Sequence, residues 1–556
     1  MKRPRQFGMT SSPGKSLPLG TSVFSTLRDS NQVYVDKTAL IYELASEREK
    51  IFLSRPRRFG KSLLTSTFES LFLHGLRDFK GLAIEKLWTD KTYPVVHMDF
   101  SGLKNHESEE SFRKALEGHF TASFAPLGFR YDIAISDEIP YLEQFRQWLK
   151  LQPSNAFVLL IDEYDAPLTA HIDNDKIFDK IRAVLNEFFA ALKEFEGCLR
   201  FYFMTGITKY RQTSIFSELN NFTDVSFDSG YGTLLGYTEE EILTNFAPWV
   251  DRACRMLNLS REELLTQLKK HYDGFCFDEF AQTHVYCPWS VLNFLKRPSR
   301  GFQNYWYESG GRPAVLLKYF EKHKLDKPEM FDLSGAINLS ELGAARHYNE
   351  LNIKPLLFQA GYLSIKASLN AAEVLVDYPN KEVEISMARL FADQMLRDVD
   401  RLKTGISLLG KMLDESDPEV VIAHFNAVFN AINYKNYPVT GEASCRSHLQ
   451  LLLMGGAMVP DVEKHSALGR SDLEVSTPHR HWVFELKYSA DGSDEVRLLE
   501  QAVRLMQDRR YGETPHNGRD LVRLALVFNA KTRRFEKWQV VPVSDAGLTT
   551  APDSSS

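Results

Sequence analysis

Two short runs in the first half of the chain could together handle a phosphate chain. Arg55-Pro-Arg-Arg-Phe-Gly60-Lys61-Ser62 stands directly after an apolar run and directly before an amphipathic one. A loop in that setting turns its backbone N–H groups, and the N-terminus of the helix that follows, towards an anion. Lys61 is then placed to reach the terminal phosphates and Ser62 to ligate Mg²⁺. Arg57, Arg58, Phe59 and Gly60 form the body of the loop, and its two arginines either meet phosphate or lie in solvent. The general pattern asks for glycine where this chain has Arg55. Val158-Leu-Leu-Ile-Asp162-Glu163 supplies the other half, an apolar strand ending in two carboxylates. Charge there is expensive to bury unless a metal and water use it. Asp162 would hold Mg²⁺ through water, and Glu163 would orient and deprotonate the attacking water. A third apolar run ends at Thr205, followed by Thr208 and Lys209. Thr205 is placed either to sense the terminal phosphate or simply to end a strand.

A second constellation lies near the C-terminal end. Gly469-Arg-Ser-Asp472-Leu-Glu-Val places a carboxylate on one strand, and Glu485-Leu-Lys487 lies on the next. Period-2 alternation puts Glu485 and Lys487 on one face. If the two strands pair as a hairpin, Asp472 falls beside Glu485. Two carboxylates and a peptide carbonyl then make an oxygen-rich site for Mg²⁺ or Mn²⁺. Lys487 could orient or activate a hydrolytic water there. The same residues also describe an alternating strand with its polar face in water. Arg504, Arg509, Arg510, Arg533 and Arg534 follow, either to contact a phosphate backbone or as a solvated face.

The elements that must position these groups can be read from hydrophobic patterning. Residues 51–54, 93–100, 156–162 and 199–206 are near-continuous apolar runs, which suit parallel strands covered on both faces. Helical stretches at 61–74 and 175–196 supply crossovers. From Thr238 helices dominate, opening with a threonine cap and three acids. Residues 356–368 and 372–386 read as β-rich, with a turn at Tyr378-Pro-Asn, and helices run from Met387 to about Asn433. The last part reads as a helix from Gly441, strands at 472–476 and 481–489, a helix at 495–510 and a strand at 521–530.

With 556 residues the chain should form roughly three or four domains. Its 43% hydrophobic and 25% charged content is ordinary for a soluble protein, and a net charge of −6 confines any nucleic-acid site to a local basic groove. Five scattered cysteines lack metal spacing and read as reduced thiols, which fits a cytoplasmic setting. No apolar run approaches the ~18 residues that span a bilayer.

YVDKT (34–38), SRPRRFGKS (54–62), VLLIDEYDAPL (158–168), FMTGITKYRQTSIFSELNNFTD (203–224) and LLGYTEEEI (234–242) together resemble the bacterial and fungal AAA-ATPase-like family. In that family the arginine-rich loop is the usual form, so Arg55 follows its habit. The likeness implies a PD-(D/E)XK nuclease domain after the ATPase, with Asp472, Glu485 and Lys487 as its motif. Glu442 would be a metal ligand from the preceding helix, with Glu463 an additional candidate. Ser471 stands where many such nucleases carry proline, and Gln501 and Gln507 fall out of register with the family's later glutamine.

The expected fold is therefore α/β: a P-loop NTPase parallel sheet with a helical lid subdomain, then a smaller α/β restriction-endonuclease-like domain. Expected boundaries are a disordered leader (1–17), ATPase domain (18–237), lid (238–345), connecting hairpin and helices (346–435), nuclease-like domain (436–544) and disordered tail (545–556). ATP and Mg²⁺, with Mn²⁺ an option at the second site, are the expected cofactors. Nucleic acid, DNA ahead of RNA, is the expected partner, no membrane is involved, and homo-oligomerisation is open. The alternative is an ATP-switched binding or signalling protein whose nuclease-like domain does not cleave.

Overall fold

The computed structural model describes residues 14–172, 174–209, 222–309, 334–342, 353–395, 408–435, 437–456, 458, 460–462, 465–466, 469–512 and 518–542. The chain divides into two compact units, whose described residues meet between Val383 and Glu384. No helix among the described residues is long and apolar enough to cross a membrane.

In the first unit, strands β1 (Lys50–Ser54), β2 (Val95–Asp99), β3 (Phe157–Asp162), β4 (Leu199–Gly206) and β5 (Phe222–Asp224) form one sheet in the order β2-β3-β4-β1-β5. Every pairing is parallel, so all carboxyl ends share one edge. The continuous apolar runs are explained by cover on both faces: every residue of β3 and β4 is buried. Phe201 and Phe203 of β4 meet Phe68 and Phe72 of helix Lys61–His74 on one face. Tyr202 and Met204 face the other core, built by helices Glu109–Phe124, Tyr141–Lys150 and Asp175–Glu194.

The lid helices follow. Glu239–Asn245 and Arg261–Tyr272 each begin with a capping box, Thr238 with Glu241 and Ser260 with Glu263. Between them lies Ala247–Leu257, and Pro288–Lys296 packs on the same core through Val291 and Phe294. A three-stranded antiparallel sheet completes the unit: β6 (Gly335–Asn338), β7 (Ser364–Ser368) and β8 (Glu373–Asp377), with β8 central. Two expectations are corrected here. Residues 356–360 lie in helix Ile353–Ala360, and residues 381–386 open helix Lys381–Met395. Asn380 caps the latter by accepting the Val383 N–H at 3.1 Å.

The second unit carries a mixed sheet: β9 (Asp461–Val462), β10 (Leu473–Ser476), β11 (Arg480–Ser489), β12 (Asp520–Asn529) and β13 (Arg534–Val540), in that order. β11 and β12 run parallel, joined by crossover helix Glu495–Asp508, and the other pairings are antiparallel. The expected connecting segment 346–435 is shared between the units. Helices Leu409–Glu415 and Pro418–Asn430 belong with this sheet, where the Trp482 indole N–H donates to Leu413 O at 2.9 Å and Phe425 packs on Phe484. Residues 14–17 of the expected leader are placed, with Ser16 bridging to Gln32. Residues 1–13, the tail 545–556 and Glu463 lie outside the described residues.

The loop after β1 is held from several sides. Arg55 is 1% exposed, and its guanidinium donates to Ser54 O (2.9 Å), Ser226 O (2.7 Å) and Tyr231 O (3.3 Å) while stacking on Phe277. The Trp306 indole donates to Arg57 O at 3.3 Å, and Phe59 packs edge-on against Phe275 and Phe277. Two consequences can be measured. Arg55→Ala should lower the unfolding free energy by about 2–4 kcal/mol in a denaturant titration, because it orphans buried carbonyls and opens a cavity. Arg55→Lys should recover little of that, since an ammonium cannot reproduce the planar fork. A Cβ on Gly206 would run into Asp165 Oδ1 and stand 2.8 Å from the Tyr164 ring. Gly206→Ala should therefore destabilise by about 1–3 kcal/mol, and an unchanged urea midpoint would contradict that packing.

Candidate functional site

The loop after β1 and the carboxyl end of β3 sit on the same sheet edge, separated by β4. Gly60 caps helix Lys61–His74 in the left-handed region, at φ 99°. That conformation favours glycine and lets the loop turn directly into the helix. Lys61 is buried at 8% exposure, and its ammonium donates to Arg55 O (2.8 Å) and Pro56 O (3.0 Å). Burial draws its pKa down, against the pull of Asp162, Asp165 and Glu163. Burial likewise pushes the Asp162 carboxyl up, while a hydrogen bond from Ser62 and the charge of Lys61 pull it back. Lys61, Ser62 and Asp162 are thus brought together.

Glu163 is also at this edge, in an unusual backbone conformation with φ 50°. Its N–H donates to Asp162 Oδ1 at 2.9 Å, and its carboxylate accepts from Lys104 at 3.0 Å. Strain in a non-glycine residue at such a position is a common mark of a functional site. Glu163, Lys104, Arg57, Asp165, Thr208 and Trp306 help line a cavity of about 280 Å³. Two residues here were not singled out from the sequence. Asp165 accepts the Thr208 N–H at 2.8 Å and the Ile207 N–H at 3.2 Å, and burial raises its pKa. Lys104 comes from beyond β2, and nothing in its local sequence signals an ion pair with Glu163.

Two further residues of the expected site have protein partners of their own. The Thr205 hydroxyl is fully buried and donates to Leu53 O at 2.7 Å, tying β4 to β1 inside the sheet. Arg58 has φ 71°, and its guanidinium lies 4.4 Å over the Trp289 ring and donates to Ser309 O at 2.5 Å. It therefore reaches helix Pro288–Lys296 and the residue that ends helix Tyr305–Glu308.

In the second unit, β10 and β11 pair antiparallel with Leu473 opposite Phe484. Continuing that register by one residue puts Asp472 opposite Glu485, the position expected if the two strands pair as a hairpin. Asp472 accepts the Leu486 N–H at 2.8 Å and Arg446 Nη1 at 3.3 Å. The Lys487 ammonium donates to Glu485 (2.9 Å), Glu442 (3.1 Å) and Leu486 O (2.9 Å). Glu442, Asp472, Glu485 and Lys487 thus converge. Burial, then the charge of Asp472, push the Glu485 carboxyl up to about 7, against the pull of Lys487. Burial opposes the Lys487 charge, but Glu485, Glu442 and Asp472 outweigh it and raise its pKa. Arg446, one turn along helix Glu442–Gly455 from Glu442, was not anticipated.

Ser471 belongs to a neighbouring buried chain: it donates to Glu474 at 2.8 Å, and Glu474 meets His481 at 3.1 Å. Arg504, Arg509, Arg510, Arg533 and Arg534 are all exposed, with Arg533 4.3 Å over the Tyr434 ring. Among the described residues, no three His, Cys, Asp or Glu side chains form a ready-made metal cage. Asp472, Glu485 and the Leu486 carbonyl still fit Mg²⁺, which binds through one or two carboxylates and keeps several waters.

Residues 18–216 match the model of the family described as predicted AAA-ATPase. Residues 447–538 match that of the PD-(D/E)XK nuclease superfamily. The chain is also 28% identical, over 511 residues, to a protein of Azotobacter chroococcum mcd 1 described as an uncharacterized protein in the vnfD 5′ region. That alignment covers 90% of this chain and 93% of the other. The chain thus joins an AAA-ATPase-like domain to a C-terminal domain of the PD-(D/E)XK nuclease superfamily.

Proposed function

We propose that the protein binds and hydrolyses ATP and couples its nucleotide state to metal-dependent cleavage of nucleic acid, with DNA the preferred substrate. The observation that carries the reading is the convergence of Glu442, Asp472, Glu485 and Lys487 in a chain that also buries Lys61 beside Asp162. At the nucleotide site, Lys61 would exchange the Arg55 and Pro56 carbonyls for phosphate oxygens. The loop amides and helix N-terminus would hold the remaining charge. Ser62 and Asp162 would carry Mg²⁺, which supplies charge neutralisation at the phosphates. Glu163, once free of Lys104, would orient and deprotonate the attacking water.

At the second site, Asp472 and Glu485, with help from Glu442, would hold Mg²⁺ or Mn²⁺, which supplies Lewis-acid chemistry at the scissile phosphate. Lys487 would leave Leu486 O and orient the hydrolytic water. Arg446 fixes Asp472 in place. The same contact supports a second reading, an ATP-switched binding protein with a non-cleaving domain, because Arg446 and the Leu486 N–H already engage both oxygens of Asp472.

Lys61→Ala should abolish binding of a fluorescent ATP analogue. Glu163→Gln should keep binding within a few-fold while phosphate release falls about 100-fold or more, the range of a lost general base. Undiminished binding by Lys61→Ala would remove the loop from the nucleotide site. In a cleavage assay with Mn²⁺ and DNA or RNA, Lys487→Ala should be inactive, and equal cleavage by wild type and variant would sink the nuclease assignment. Independently of activity, Mg²⁺ or Mn²⁺ should raise the melting temperature of the C-terminal unit, and Asp472→Asn with Glu485→Gln should abolish that rise. Neither a cation-induced rise nor cleavage, with ATP binding intact, would select the second reading.

A further inference from the structure

Arg58 stands in the phosphate-binding loop but turns away from it, and what it meets is a second cationic cavity. The space, about 290 Å³, is lined by Trp289, Asn293, Lys296, Arg297, Arg300 and Tyr305, with Leu19 and Ser309 at its margin. Its volume is near the lower end of ordinary ligand pockets. Lys296, Arg297 and Arg300 are exposed, and among the described residues none of them pairs with a carboxylate. The chain carries no Asp or Glu from Phe280 to Tyr307, although its overall charge is −6.

The cavity's aromatic wall is rigid and shared with the loop. The Trp289 indole donates to Tyr305 O at 3.1 Å, fixing the ring between the cavity and Arg58. Arg58 binds both Trp289 and Ser309, two residues of the lining, while its backbone belongs to the phosphate cradle. Clustered cations beside fixed aromatic rings are the chemistry that tracks a single strand of nucleic acid, with phosphates on the cations and bases against the rings.

We propose that this cavity binds the backbone of a single nucleic-acid strand, and that Arg58 transmits its occupancy to the phosphate-binding loop. The choice of nucleic acid over another polyanion rests on the nuclease reading of the second unit. The site itself lies wholly within the ATPase unit.

The test uses the full-length protein. With EDTA present, a 5-bromodeoxyuridine-substituted single-stranded oligonucleotide should cross-link under ultraviolet light to a peptide within 288–309. Arg297→Glu with Arg300→Glu should weaken its binding about tenfold or more, and losing two phosphate contacts should reduce the salt slope by about 1.4. Arg297→Lys with Arg300→Lys should restore binding, which separates lost charge from a folding defect. In the Lys487→Ala background, which keeps the strand intact, the oligonucleotide should change the ATP turnover rate, and adding Arg58→Ala should remove that response. Unchanged affinity and salt slope in the charge-reversed variant would overturn the site. Competition by inorganic polyphosphate with no cross-link in that peptide would overturn nucleic acid as its ligand. A response that survives Arg58→Ala would overturn the coupling. If Lys487→Ala cleaved like wild type, the nuclease reading would fail, and the cross-link and salt slope would still decide the cavity on their own.

Discussion

Most of the first unit's site follows from the need to bury an ammonium group. Lys61 lies behind the loop at 8% exposure, where an unsolvated positive charge must find oxygen. It finds the carbonyls of Arg55 and Pro56. The loop is thus curled around its own lysine, and Asp162, Asp165 and Glu163 stand close enough to moderate the burial. Those carbonyl dipoles and the neighbouring carboxylates together offset the cost of burying the ammonium. The parallel sheet makes this possible by bringing every strand's carboxyl end to one edge.

Arg55 is part of the same solution. A glycine at the start of the loop would leave room for water beside Ser226 and Tyr231. The arginine fills that room and satisfies three carbonyls at once, so the loop gains rigidity where the general motif has only flexibility. Burial pulls its pKa down to about 9, still protonated near neutral pH. The arginine-rich loop therefore divides its labour: Arg55 holds the base, Arg57 lines the cavity beside Glu163, and Arg58 ties the loop to the lid helices.

How much was legible in the sequence depended on whether a signal was local. The apolar runs of β3 and β4 declared a covered parallel sheet, and Thr238 with Glu241 declared a helix start. Period-2 alternation put Glu485 and Lys487 on one face, while Asp472 beside Glu485 depended on the two strands pairing as a hairpin, which they do. Residues 356–360 failed because a short apolar run does not distinguish a strand from a buried helix. At 381–386 a cap signal existed and was read as a turn: Pro379-Asn380 marks the helix that follows. Asp165, Lys104 and Arg446 were not legible as partners, since each meets its group across a fold-level distance. Arg446 left one trace, its position one helical turn from Glu442.

The second unit solves a different problem with similar parts. Glu442, Asp472 and Glu485 bring three carboxylates together, and Lys487 with Arg446 brings two cations, which leaves one excess negative charge if all are ionised. Glu485 bears part of the consequence: burial first, and then the charge of Asp472, push its carboxyl up to about 7. A raised carboxyl favours the fold below the ordinary carboxylate range, and that advantage is lost as pH rises through about 7. A bound cation would remove the conflict that a proton otherwise relieves. Packing alone would be better served by an apolar residue at 485, so the buried carboxylate is an energetic cost that its ion pair with Lys487 only partly offsets.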